Sequence, residues 1–200
     1  LTNRGTVISS QAVHLKAEST LRNHGVVAAQ SNTSVTAVDI RNVGDMFAGL
    51  DPGGTLSGPG SISVTGKNVL SNGTLAAGDN VNVLGARVSL DGGVVSAASA
   101  LDLTGVEILT TRGVTTSALN VTLRSNGEFI NDGGMLAALQ DAHVETRSVS
   151  NREGVLAAER LTLVAGDVEN NGGTLAGRRH VRISTADLAN EDGLIGTPSG

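Results

Sequence analysis

The chain has 200 residues, of which 27 are glycine, and it contains no cysteine, tryptophan or tyrosine. Hydrophobic residues make up 39% of the chain but aromatic residues only 1%, so a core has to be built from small and branched aliphatic side chains. The lack of cysteine excludes disulfides and thiolate metal sites, and the formal net charge of −5 argues against nucleic acid as a partner. No apolar stretch approaches the roughly 20 residues of a membrane helix, so we expect a protein that is not membrane-embedded.

A repeat of about 20 residues runs along the chain. Each copy begins with a glycine, then a small or branched residue, an aliphatic residue and further small residues. The copies begin at Gly5, Gly25, Gly54, Gly73, Gly93, Gly113, Gly134, Gly154, Gly173 and Gly193. These glycines are 19 to 21 residues apart, except that the step from Gly25 to Gly54 takes 29. Such regular spacing is typical of a stacked repeat architecture.

Each repeat contains three blocks with the two-residue period of a half-buried β-strand. The first block pairs a large residue with a small one, the second contains two aliphatic residues two positions apart, and the third ends in aliphatic-x-Asn. We predict a column of equivalent asparagines, formed by Asn3, Asn23, Asn42, Asn72, Asn131, Asn151, Asn170 and Asn190. Two repeats have Leu90 and Thr110 at this position instead.

A unit of this length cannot bury its own apolar side chains, so the copies must stack on one another. We therefore predict an all-β fold, a parallel β-helix of about ten coils, that occupies residues 1–200 as a single segment. Coils stacked at roughly 4.8 Å would place the asparagines in a ladder of amide hydrogen bonds. A leucine-rich repeat has a similar period, but it has one strand per unit and a different leucine spacing.

The irregular step contains the segment VGDMFAGLDPG at residues 43–53, which we predict to be an insertion loop. Insertions in solenoids form loops on one face, and that face sometimes binds a partner. Met46 and Phe47 are the candidate contacts in that case. The alternative, which we favour, is that both side chains fold down onto the outside of the rod, because solenoids tolerate surface loops at small cost.

The histidines do not indicate a metal site. His14 and His143 share a position in the repeat but lie six coils apart, whereas His24 and His180 occupy other positions. Zinc needs three or four clustered ligands. We therefore predict no metal, and no other cofactor is indicated.

Acidic residues recur at one position of adjacent repeats, in the pairs Asp167 with Asp187 and Glu107 with Glu128. A glycoside hydrolase needs two acids that face each other across a groove. Stacked acids on a polar position instead predict a solvated stripe, and no aromatic residue lines it. We therefore predict no enzymatic activity, and a carbohydrate-active β-helix enzyme remains an alternative.

A small basic patch near the end of the chain consists of Arg178, Arg179 and Arg182 together with His180. Such a patch could bind a sulfated glycan, or it could be a solvated turn. The arginines are therefore candidate partner contacts.

The repeat units resemble those of filamentous haemagglutinin and related two-partner secretion exoproteins. The resemblance covers nearly the whole chain and is clearest in GVLAAERLTLVAGDVENNGGTLAG, residues 154–177. It implies a right-handed β-helical shaft that is exported across the outer membrane of a Gram-negative bacterium by a dedicated partner transporter. A secreted or cell-surface location follows from the same resemblance.

The resemblance further implies a non-catalytic shaft segment of a surface adhesin, which extends a distal binding region from the cell. A host-cell or bacterial surface receptor or glycan would then be a partner. The stalk of a contact-dependent growth inhibition toxin-delivery protein is an alternative, because it would use the same shaft. The chain begins and ends within a repeat and shows no polar capping repeat, so we expect an internal piece of a longer shaft.

Overall fold

A computed structural model describes residues 1–110 and 115–197, except for the side chains of residues 115–117. Within these ranges the chain forms 23 β-strands and no helix, which confirms the all-β prediction. The strands stack in parallel as a β-solenoid of about nine turns, so the predicted parallel β-helix is also confirmed. The repeat predicted to begin at Gly113 starts outside the described residues. None of the described residues belongs to a helix of the length and apolarity that crossing a membrane requires.

The first coils have three separate short strands each. These strands are β1 (Thr2–Asn3), β2 (Thr6–Ser9), β3 (Val13–Lys16), β4 (Thr20–Asn23), β5 (Val26–Ala29), β6 (Thr33–Thr36), β7 (Asp39–Asn42), β8 (Asp45–Ala48), β9 (Ile62–Thr65), β10 (Asn68–Ser71), β11 (Thr74–Ala77), β12 (Val81–Leu84), β13 (Arg87–Ser89) and β14 (Val94–Ala97).

In the later coils neighbouring strands of one coil merge into longer ones. These strands are β15 (Ala100–Leu109), β16 (Thr115–Ile130), β17 (Met135–Glu145), β18 (Ser148–Ser150), β19 (Val155–Val164), β20 (Asp167–Glu169), β21 (Thr174–Ser184), β22 (Asp187–Ala189) and β23 (Leu194–Gly196).

Equivalent residues of successive coils lie directly against one another. Leu156, for example, is in register with Leu136 on one side and Leu175 on the other, and all three side chains are buried. The two-residue period of each strand places such columns inside the coil and the alternate residues outside. The columns merge into one hydrophobic core, in which Phe129 takes a position that aliphatic residues hold in the neighbouring coils.

The third repeat copy along the core begins at Gly44, not at Gly54. Strand β8 pairs with β5 and β11, and this register places Met46 between Val27 and Leu75. A Cβ atom at Gly44 would collide with the backbone carbonyl of Gly25, just as one at Gly73 would collide with that of Gly44, whereas one at Gly54 would meet nothing within 4 Å. The insertion therefore lies at residues 49–61, between β8 and β9, and not at 43–53.

The insertion is a short hairpin. Leu50 and Leu56 form an antiparallel bridge, and the Asp51 carboxylate organises the turn between them. Asp51 Oδ1 accepts hydrogen bonds from the amides of Gly53 and Thr55, each at 2.9 Å. The Thr55 amide is the main cause that lowers the pKa of Asp51 below its usual value.

Candidate functional site

Side-chain amides run along the rod in the position that the sequence predicts for the asparagine column. In each bond the Nδ2 group of one coil donates to the Oδ1 atom of the next coil. The distances are 2.8 Å from Asn3 to Asn23, 2.8 Å from Asn23 to Asn42, 2.7 Å from Asn131 to Asn151, 2.7 Å from Asn151 to Asn170 and 2.6 Å from Asn170 to Asn190. The bonds all point the same way along the chain, so each interior amide both accepts and donates.

Asn72 does not belong to this column. Ser71 occupies the position, and Asn42 Nδ2 donates to Ser71 Oγ at 3.0 Å. The sequence pattern placed Asn72 here because Leu70 looks like the aliphatic residue that precedes each asparagine by two positions. Leu70 in fact points outward and is 41% exposed, and Val69 is the buried residue of that strand.

Leu90 divides the column into two separate ladders. It follows Ser71 in register and precedes Thr110, and its side chain is fully buried and cannot form hydrogen bonds. The second ladder begins at Thr110, whose hydroxyl donates to Asn131 Oδ1 at 2.7 Å. The chain thus has one polar ladder in its first four coils and another after the gap.

The turn that follows the column changes at the same coil. In the first four coils one residue separates the column position from the repeat glycine, whereas from Leu90 onward two residues do. The second of these has a positive φ angle at Gly92, Gly133, Glu153, Gly172 and Asp192. The longer turn provides a further acceptor, since Asn151 Nδ2 donates to the Gly154 carbonyl at 3.2 Å as well as to the carbonyl of Thr174 in the next coil.

The candidate contacts of the insertion are not presented together on the surface. Met46 is fully buried in the core, so both the partner-contact interpretation and the idea that it covers the outside of the rod are wrong for this residue. A strand register that alternates inward and outward residues separates Met46 from Phe47, which is half-buried on the outer side of β8. Phe47 is therefore the candidate contact that remains here.

The basic patch lies on β21. Arg178, Arg179 and Arg182 are all exposed, and Arg179 Nε forms an ion pair with Glu159 at 2.6 Å. In the preceding coil Arg160 binds Asp141 with two 2.6 Å hydrogen bonds, which lower the pKa of that carboxyl group. Acidic side chains are thus interleaved with the patch, and its surplus positive charge is small.

The histidines and carboxylates of the described residues form no cluster of three or more that could hold a metal ion. The third strands of several coils carry outward carboxylates, and Glu107, Glu128, Asp167 and Asp187 share one row, as the sequence predicts. Two of the outward carboxylates are engaged by arginines: Arg87 forms an ion pair with Glu107 at 3.4 Å, and Arg152 donates from Nε and Nη2 to the two carboxylate oxygens of Glu169 at 2.6 Å. The Arg152 hydrogen bonds hold the pKa of Glu169 below its usual value.

The stacked columns, the directed ladders and the outward polar rows together define a β-solenoid repeat protein. A family model described as haemagglutinin repeat matches residues 1–67 and 49–195. The chain therefore belongs to the haemagglutinin repeat family, as the resemblance to filamentous haemagglutinin suggested. The two matches overlap at residues 49–67, where the inserted hairpin interrupts the period. Neither the search of curated proteins nor that of solved structures finds a match.

Proposed function

We propose that this chain is a shaft segment of a secreted bacterial surface adhesin, and that it acts by length and stiffness and not by catalysis. The single observation that carries the proposal is the unbroken stack of equivalent side chains. Leu136, Leu156 and Leu175 repeat the same buried contact in successive coils. Each added coil extends such a rod by about 4.8 Å without new chemistry.

Membership of the haemagglutinin repeat family supports the further proposals that the chain is exported through an outer-membrane partner transporter and lies on the surface of a Gram-negative bacterium. A non-catalytic role is supported by the arrangement of the acids. Glu128, Asp167 and Asp187 lie in one row on a single face, whereas hydrolysis of a glycan needs two carboxyl groups on opposite sides of the scissile bond.

Deletion of whole coils tests the shaft role. Removal of residues 134–172 joins Gly133 to Gly173, which are neighbouring positions of equivalent turns, and takes out two complete coils. We expect the shortened chain to keep its strand content and its cooperative unfolding. Its maximum dimension in small-angle X-ray scattering should fall by about 10 Å, twice the spacing of adjacent strands.

The matched control is a deletion of residues 134–143, which removes half a coil and shifts every following column out of register. We expect this chain to lose its cooperative unfolding. A role as a spacer would be contradicted if both deletions abolished cooperative unfolding. It would also be contradicted by saturable binding of the 200-residue chain to host or bacterial cells. Binding would instead make the segment itself a recognition module.

A further inference from the structure

The outward residues of the third strand in each coil form a face with an unequal distribution of charge. This third-strand face consists of the outward side chains of β1, β4, β7, β10, β13, β18, β20 and β22, of residues 107–109 and 128–130, and of the residue that follows the asparagine column. At its N-terminal end lie Arg4, Arg22 and Arg41, all exposed. At its C-terminal end lie carboxylates on β20 and β22.

The arginines are stacked without compensation. Arg22 lies directly against Arg41 in the parallel register of β4 and β7, and none of the ion pairs among the described residues involves Arg4, Arg22 or Arg41. Like charges on adjacent strands repel each other. Asp39, the carboxylate in the strand of Arg41, instead accepts a hydrogen bond from Asn68 at 2.6 Å. This end of the face therefore attracts a negatively charged surface.

The opposite end has the complementary charge. Asp167, Asp187 and Glu191 are exposed there, and Asp167 is in register with Asp187. Arg152 is the basic residue nearby, and its guanidinium is bound to Glu169. The acidic end therefore attracts a basic surface, and the basic end of the same face on a second molecule is such a surface.

Two outward rows cross the middle of the face: one is mostly apolar, and the other carries Arg87, Glu107 and Glu128. Leu70 is 41% exposed, and Leu109 and Ile130 follow it on the same outward row, half-buried. A protein interface combines apolar contacts with polar and charged ones, and this face offers both. Two such faces complement each other only in the antiparallel orientation, because a parallel pair would place arginine opposite arginine.

We propose that the third-strand face pairs with the same face of a second copy in an antiparallel, two-fold symmetric dimer. A two-fold axis between β13 and residues 107–109 places β1 opposite β22 and β4 opposite β20. Arg22 then faces Asp167 and Glu169 of the other copy. The same register places Leu70 opposite Ile130 and Arg87 opposite Glu107, whereas Arg41 lies opposite the serines of β18.

The size of the face is sufficient for a dimer. Nine steps of about 4.8 Å and a strand of about 13 Å give roughly 560 Å² on each partner. The total of about 1,100 Å² lies just above the roughly 1,000 Å² that a specific interface requires. Because the contacts at both ends are between exposed charges, we expect the dimer to weaken as salt rises.

Sedimentation equilibrium of the 200-residue chain tests the proposal. We expect a monomer–dimer equilibrium at low salt and a larger dissociation constant at high salt. Arg22→Glu should raise that constant about tenfold or more, because it turns an attraction into a repulsion at both ends of the symmetric interface. Adding Asp167→Arg to this variant should restore the dimer.

Arg182→Glu is the matched control, since Arg182 is an exposed arginine of β21 on another face. It should leave the dissociation constant unchanged. Circular dichroism of every variant checks that the fold is retained. A chain that stays monomeric at low salt, an open series of larger oligomers, or an Arg22→Glu variant that associates like the original chain would overturn the proposal.

Disulfide trapping tests the orientation, and the chain suits it because it has no cysteine. His24 and Asn171 face each other in the proposed dimer, whereas the two copies of His24 are about 34 Å apart, seven strand spacings. A disulfide requires that the Cα atoms of its two cysteines lie within about 7 Å of each other. A mixture of His24→Cys and Asn171→Cys chains should therefore form a mixed disulfide. Homodisulfides of His24→Cys alone would overturn the antiparallel arrangement.

Discussion

The side-chain amide of Asn131 donates a hydrogen bond to Asn151 at 2.7 Å, although the two residues are 20 positions apart in the chain. Both side chains are completely buried. A buried polar group is tolerated only when it has a partner, and here each asparagine is the partner of the next. The ladder therefore couples the coils, and it makes the identity of one residue matter to its neighbours above and below.

Removal of one member of the ladder should destabilise the chain. Asn170→Ala removes the ladder acceptor of Asn151 Nδ2 and the ladder donor to Asn190 Oδ1. We expect it to lower the free energy of unfolding by about 1–3 kcal/mol, measured by denaturant unfolding. Asn171→Ala, in the partly exposed neighbouring position, is the control and should cost less. Equal losses from the two variants would mean that the ladder adds nothing to stability.

Leu90 should accept an asparagine better than other core positions do. Leu90→Asn places an amide between Ser71 and Thr110, where it can join the two ladders. Val88→Asn, two residues earlier and equally buried, has only apolar columns around it. We expect Leu90→Asn to be the less destabilising of the two by about 1–3 kcal/mol, the cost of an unpaired polar group. Thermal or denaturant unfolding measures the difference in stability between the two variants. If Leu90→Asn were the more destabilising one, an amide at this position would not join the two ladders.

The inward and outward positions of β14 can be compared with one residue type. Val95 is 1% exposed and Val94 is 47% exposed. Val95→Asp should cost several kcal/mol, because it buries an unpaired charge. Val94→Asp should change the free energy of unfolding by about 0.5 kcal/mol or less. Similar melting temperatures for the two variants would show that the strand register is wrong.

Glu153 holds a turn position that glycine holds in neighbouring coils. Its φ angle is 55°, compared with 63° at Gly133 and 65° at Gly172. A side chain in this conformation costs roughly 1–2 kcal/mol, and glycine at the same position avoids that cost. Part of the resulting gain in stability is offset, because glycine makes the unfolded chain more flexible. Glu153→Gly should therefore stabilise the chain by up to about 1 kcal/mol. The same change at Glu145, an exposed residue in a strand, should destabilise it instead.

The hairpin of the insertion should depend on pH through Asp51. Its amide hydrogen bonds lower the pKa in the folded state, so their contribution is present above the ordinary aspartate pKa. It is lost as the pH falls through the lowered value. Nuclear magnetic resonance should show the Thr55 amide signal moving with that titration. Asp51→Asn keeps an acceptor and should abolish the movement, whereas a shift that persists would assign it to another group.

The repeat pattern in the sequence is enough to predict the architecture of this protein. Glycines 19 to 21 residues apart and strands with a two-residue period permit few arrangements other than stacked coils, and Leu156 or Asn170 could be assigned inward from that period alone. The reason is that every coil has the same pattern of apolar residues to bury. Any unit that cannot bury its apolar residues alone must use its neighbours to do so.

The register depends on the folded structure at positions where two assignments fit the sequence pattern. Gly44 and Gly54 both precede a plausible strand, and Leu70 and Val69 could both precede the column. The choice depends on contacts with other coils: the approach of the Gly25 backbone to Gly44, and the pairing of Val69 with Ile40. The third-strand face likewise becomes visible only when the coils are stacked, because Arg22 and Asp167 are distant in sequence and share a face only through the register.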